Sequence, residues 1–130
     1  MLAMVLLVLL QPSTTHPVSE IIGTWQGTST CADRVAAPAC NDEVIVYDVT
    51  AGAASGVAHQ KAYKIVNGER ELMGEMDFTY SAADGCWRAE FSSPRVTSIW
   101  CLSVTGKTMT GAAWLMPGRR VVRAVRAGKQ

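Results

Sequence analysis

Short stretches in which apolar and polar residues alternate recur along most of the chain, and dipeptides suited to tight reversals punctuate them: Asn67-Gly68, Asp84-Gly85, Thr105-Gly106 and Pro117-Gly118. A period of two places one set of side chains on each face of an extended strand, and a two-residue reversal joins such strands antiparallel. Strands are read at Ile21–Cys31, Glu43–Thr50, Ser55–Val66, Leu72–Ser81, Cys86–Ser92, Val96–Val104, Lys107–Met116 and Arg119–Ala127. No window shows the 3.6-residue period of an amphipathic helix, so the chain is predicted to be all-β.

A turn fixes the pairing of its strands, so the hairpins test whether neighbouring strands agree on a buried face. Asn67-Gly68 sets Tyr63 opposite Leu72, His59 opposite Met76 and Val57 opposite Phe78, with Lys64–Glu71 and Gln60–Glu75 on the polar side. Gly74, opposite Lys61 in this register, is a candidate strand kink. Asp84-Gly85 continues the apolar face through Phe78–Phe91 and Tyr80–Ala89. A four-residue loop, Ser92–Arg95, sets Trp87 opposite Trp100 and Cys86 opposite Cys101. Thr105-Gly106 then pairs Trp100 with Gly111, which makes room for it, and Pro117-Gly118 pairs Met109 with Arg126, sending Arg126 inward. A meander of hairpin-joined strands closes most simply as an eight-stranded antiparallel up-and-down barrel, which removes both exposed edges, with an open sandwich as the alternative.

Directly opposed residues lie within disulfide range, so Cys86–Cys101 is the preferred bridge, and Cys31–Cys40 pair by elimination. Metal is not expected: there is no Cys-x-x-Cys, and only His16 and His59 are available to complete a site.

The uncharged run Leu2–Leu10 resembles a secretory signal and is half as long as a membrane span, so residues 1–18 are read as a signal peptide and 19–130 as one barrel domain. An N-terminal element of the domain is the competing reading. Four cysteines in an exported chain fit a secreted or periplasmic protein with no transmembrane span. The net charge of +1 hides an imbalance. Up to Glu90 there are 5 basic and 11 acidic residues, and from Phe91 onward 7 basic and none acidic. Either acidic and basic strands pair within one fold, or Arg119, Arg120, Arg123, Arg126 and Lys129 form an anion-binding face. No nucleic-acid partner is expected.

Gly23-Thr24-Trp25 in the first strand resembles the Gly-x-Trp of the calycin superfamily: lipocalins, fatty-acid-binding proteins and avidins. The resemblance implies that Trp25 plugs one end of the barrel and that a basic residue of the last strand packs across it, Arg126 in the register above or Arg123 if the final hairpin slips by one. It also implies a small pocket, because this chain is shorter than mature lipocalins. The segments Gly23–Cys31 and Pro38–Glu43 are further similar to the start of secreted bacterial proteins of unknown function, Gly-x-Trp-x-Gly-x-Ser-x-Cys followed by Pro-Ala-Cys-x-Asp-Glu, a resemblance that implies no activity.

In this register polar residues interrupt the inner face: His59, Lys61, Tyr63, Tyr80, Ser98 and Arg126 among Met76, Phe78, Trp87, Phe91 and Trp100. Inward polar groups are costly unless paired or used, so His59, Lys61, Tyr63, Met76, Tyr80, Trp87, Trp100 and Arg126 are the candidate contacts for a small hydrophobic or amphipathic ligand. The plainer account puts His59 and Lys61 at an open rim and the tryptophans in the core. Trp114, Met116, Ile99 and Val121 alternate outward, a packing surface for a protein partner or a second copy. Such a patch fits an exported interaction module, for instance an inhibitor of a secreted hydrolase, or a structural envelope protein. Only Asp33, Asp42, Glu43 and His59 are available for acid–base work, Asp42 and Glu43 point apart on a strand, and no nucleophile or phosphate motif is present. Neither an enzyme nor a cofactor is expected.

Overall fold

The computed structural model describes residues 16–130. Eight strands, β1 (Gly23–Cys31), β2 (Glu43–Ala51), β3 (Val57–Val66), β4 (Glu69–Ser81), β5 (Cys86–Ser92), β6 (Thr97–Thr105), β7 (Thr108–Met116) and β8 (Arg120–Lys129), form a closed antiparallel barrel in chain order. Closure is made by β1 against β8, from Trp25 opposite Lys129 to Cys31 opposite Arg123. The eight-stranded up-and-down barrel read from the sequence is the observed architecture, and the open sandwich is excluded. The upper end carries the β1–β2 loop, and a 3₁₀ turn at Val18–Glu20 precedes β1 at the lower end. Leu2–Leu10 lies outside the described residues, among which no helix is long and apolar enough to cross a membrane. His16 and Pro17 are described, and the His16 ring stacks on Tyr80 at 3.7 Å.

The hairpins divide into two kinds. Asn67 and Gly68 both take positive φ, 52° and 79°, and Val66–Glu69 through Tyr63–Leu72 pair as the turn dictates. Three later hairpins slip by an even number. The β4–β5 loop has four residues, so Tyr80 faces Trp87. The next two reversals fall at Ser93–Val96 and Gly106-Lys107. An even slip returns every side chain to the same face, so the inward set of β5, β6 and β7 stands as expected. Gly111 accordingly makes room for Leu102 and not Trp100: a Cβ there would collide with Leu102 and with the Cys101 carbonyl.

Two bulges slip by one, and everything beyond them changes face. Met73 is the extra residue between Leu72 and Gly74, so His59 pairs with Asp77 and Gln60 with Met76. On β3, Ala58, Gln60 and Ala62 point in, and His59, Lys61 and Tyr63 point out. Val122 is the extra residue in β8, which turns Arg123, Val125, Ala127 and Lys129 inward and Arg126 outward.

Both expected disulfides are present, Cys31–Cys40 with Cα atoms 6.0 Å apart and Cys86–Cys101 with Cα atoms 5.5 Å apart. The even slip leaves Cys86 diagonal to Cys101, whose direct partner is Arg88. Trp25, Ile45, Phe78, Trp87, Leu102 and Met109 make the fully buried core, concentrated in the lower half of the barrel. Each such side chain removed from water contributes about 1.5–3 kcal/mol. The charge imbalance resolves inside the fold: Arg120 pairs with Asp33 at 3.4 Å and Arg123 with Glu43 at 3.6 Å. The five basic residues do not gather into one anion-binding face.

Candidate functional site: the upper lumen

The lower end is sealed. Trp25 is fully buried and donates its indole N–H to the Ile21 carbonyl at 2.8 Å, and the Lys129 ammonium lies 5.7 Å from its ring centroid. Lys129 thus takes the position across Trp25 expected of Arg126 or Arg123. Gly23, at φ 143°, lies against the Lys129 side chain, where a Cβ would clash. Trp87 donates to Glu20 of the 3₁₀ turn at 2.9 Å, and Tyr80 meets Trp87 edge-on at 5.6 Å beneath His16. Tyr80 and Trp87 are inward as expected, but they form this seal and do not line the cavity above.

That cavity has a volume of about 220 Å³ and opens at the upper end. Its apolar wall comes from Met73, Met76, Ala62, Phe91 and Trp100, and the polar residues that line it are Ser29, Glu43, Tyr47, Gln60, Glu75, Ser98 and Arg123. β4 and β5 pair over only three residues, Thr79–Ser81 with Cys86–Arg88, all near the lower end. Above them the strands part, so Gly74–Met76 and Phe91 line the cavity along an open seam.

The polar groups are not equivalent. Arg123 is well occupied: it donates to the Ser29 hydroxyl at 3.0 Å and to the Asn41 carbonyl at 3.1 Å, and sits against Glu43. Burial pushes the Tyr47 phenol far above its ordinary range, with the nearby Arg123 acting in the opposite direction, so Tyr47 is a neutral donor at every physiological pH. Gln60 is 1% exposed, and its Oε1 has no hydrogen-bond partner. An unpaired buried acceptor costs about 1–3 kcal/mol, so it marks a position where a donor is missing.

Of the eight residues expected to hold a ligand, Met76 and Trp100 line the cavity. Tyr80 and Trp87 lie in the lower seal, while His59, Lys61, Tyr63 and Arg126 are on the outer wall, displaced by the two bulges. His59 bonds Asp77 at 2.7 Å and Glu75 at 3.0 Å there. Those hydrogen bonds, Glu75 first, raise its pKa and lower that of Glu75. Sequence reasoning missed Tyr47 and Gln60. Asp48 carried a signal for Tyr47, because a charged residue is best placed outward and its neighbours then face in. Gly74 carried one for Gln60, since a strand irregularity there reverses β3.

No protein-family model matches the chain, and no curated protein does. Among solved structures, the fold is similar to that of fatty-acid-binding protein 1 from Echinococcus granulosus, with a TM-score of 0.54 over 85% of this chain and 98% of that one. The two sequences are 13% identical, and the likeness is therefore one of fold: the closed eight-stranded antiparallel barrel matches a calycin-type fold.

Proposed function

We propose that the protein binds a small hydrophobic or amphipathic molecule in its upper lumen. The observation that carries this is the cavity itself, an apolar pocket whose wall includes Gln60 with its buried, unpartnered amide oxygen. Apolar walls supply affinity through burial, and a few fixed polar groups orient the ligand. At about 220 Å³ the space is below the roughly 300 Å³ at which drug-sized pockets begin, so the ligand is small or projects from the mouth. Its polar end carries a hydrogen-bond donor for Gln60 and an acceptor for Tyr47: a hydroxyl provides both in one group. The neighbouring polar side chains Arg123, Glu43 and Ser29 are engaged with one another, which supports binding without turnover. The fatty-acid-binding protein of similar fold supports the same reading. Lys129 across Trp25 supports a lipocalin-like closure of the lower end. Two disulfides that use all four cysteines support an oxidising compartment, outside the cytosol.

The test is a melting-temperature screen across alcohols, acids and small aromatics of increasing size, repeated on Ala62→Phe and His59→Ala. Ala62→Phe fills the lumen and is expected to abolish the shift given by any active compound; His59→Ala, on the outer wall, is expected to leave it unchanged. A shift that survives Ala62→Phe, with the variant's fold confirmed by circular dichroism, places binding elsewhere and refutes the reading.

A further inference from the structure

The large apolar side chains left exposed lie at the upper end of the barrel. On the half built from β5 to β8, Phe91 is 49% and Val121 46% exposed, with Val96 and Met116 also in water. The register gathers them. Thr97 pairs with Met116, so the β5–β6 loop (Ser93–Val96) and the β7–β8 turn (Pro117–Arg119) leave adjacent strands side by side. One step below, Trp114 lies between Ile99 and Val121. The same two reversals carry Arg95 and Arg119. Arg95 makes no ion pair among the described residues, and the Arg119 guanidinium rests 5.7 Å from the Trp114 ring centroid. Arg120 is held by Asp33, and Glu90, opposite Ile99, is the single carboxylate side chain from Cys86 to Gln130.

We propose that this tip docks on an anionic phospholipid surface. Apolar side chains on two adjacent loops suit the boundary between headgroups and acyl chains, and an amphipathic Trp suits the headgroup level. Arginines at the same height pair with lipid phosphates, and the two reversals that carry them, Ser93–Val96 and Pro117–Arg119, hold no acidic residue. A second copy meets the face less well, because an isologous contact through it sets Arg95 and Arg119 near their own symmetry mates. Phe91 belongs both to the tip and to the cavity wall, so docking holds the mouth of the lumen against the lipid. Docking through these loops is independent of what the lumen binds.

The experiment is co-sedimentation of the full chain with vesicles of phosphatidylcholine alone and of equal parts phosphatidylcholine and phosphatidylglycerol, at low and high salt. The expected result is binding that favours the mixed vesicles and weakens with salt. Arg95→Ala is expected to lower affinity for the mixed vesicles about fivefold, and the Arg95→Ala/Arg119→Ala pair about thirtyfold. Val96→Ser/Met116→Ser weakens binding to both compositions. Residues 1–15 are common to every sample, so the differences between variants are the readout. Lys61→Ala, on the outer wall of β3, serves as the control and changes nothing. The proposal is overturned by no preference for mixed vesicles, by a preference that survives the double arginine variant, or by a dimer in solution that Val96→Ser/Met116→Ser abolishes without any vesicle binding.

Discussion

Replacing Gln60 tests the physical core of the site without knowledge of the ligand. In the empty barrel the amide is 1% exposed and its Oε1 is unpartnered, so the folded state carries a desolvation cost that the unfolded chain, solvated by water, does not. Gln60→Met keeps the length and flexibility of the side chain and removes the polar atoms, so packing changes little and the cost disappears. The gain is set by that penalty, about 1–3 kcal/mol. With about 115 described residues, each contributing about 2.1 cal/mol/K to the entropy of unfolding, the transition entropy is about 0.24 kcal/mol/K. One kcal/mol then corresponds to a rise of about 4 °C in Tm, and the expected shift is about 4 to 12 °C. The assay is differential scanning calorimetry of ligand-free wild type and Gln60→Met, with equal preparation and refolding to strip bound molecules. The same substitution removes the anchor, so any lumenal ligand loses affinity as the empty protein gains stability. A Tm that is unchanged or lower in Gln60→Met refutes the reasoning, because the amide is then satisfied within the empty barrel.

Other outcomes follow from the geometry. The His59 contacts with Glu75 and Asp77 raise the pKa of His59, a contribution present below about pH 6.5 and lost as pH rises through the folded value. Glu75 is shifted downward, so its share is present above about pH 4.5 and lost as pH falls through its folded value. Thermal melts of wild type and His59→Gln across pH are therefore expected to differ most between about pH 4.5 and 6.5 and to converge at alkaline pH; a difference that grows above pH 8 contradicts the assignment. Opening either disulfide by a Cys31→Ser/Cys40→Ser or Cys86→Ser/Cys101→Ser pair is expected to cost about 2–3 kcal/mol in urea unfolding, since the loops closed are of similar, short length, with sequence separations of 9 and 15. Gly111→Ala forces a methyl group onto the Cys101 carbonyl and Leu102, and is expected to cost about 1–3 kcal/mol by the same measurement. Arg126→Ala, by contrast, is expected to change stability by less than about 0.5 kcal/mol, as for any surface substitution away from a special contact.

Parity explains how far the sequence could be read. Alternation and turn chemistry identified the eight strands, their order and both disulfides, because these depend on local patterns and on counts between turns. Three hairpins lie two residues from the expected register, which changes partners, Gly111 facing Leu102 and Cys86 lying diagonal to Cys101, but not faces: Trp87, Trp100, Leu102 and Met109 still point inward, since an even slip preserves them. The two odd slips, at Met73 and Val122, carried His59, Lys61, Tyr63 and Arg126 to the wrong side of the wall and hid Gln60 and Arg123. Hairpin arithmetic has no means of locating a bulge, because the extra residue changes neither turn nor composition. Gly74 hinted at the first, through the weak packing of a strand glycine. Val122 gave no comparable hint, since Val121 and Val122 satisfy either register equally. The bulge at Val122 turns Lys129 inward with Arg123, and Lys129, six residues nearer the lower end than Arg123, is the basic residue level with Trp25. The lumen's ligand contacts are thus harder to read than the barrel, because they depend on absolute register.

Methyl NMR on methionine-labelled protein tests the lumen most directly, because the methionines sample every relevant surface. Met73 and Met76 line the cavity, Met109 is sealed in the lower core, and Met116 is on the outer rim. Addition of a compound that raises Tm is predicted to move the Met73 and Met76 methyl resonances while those of Met109 and Met116 stay in place. Movement of Met116 with Met76 unmoved contradicts the account and assigns binding to the outside of the barrel.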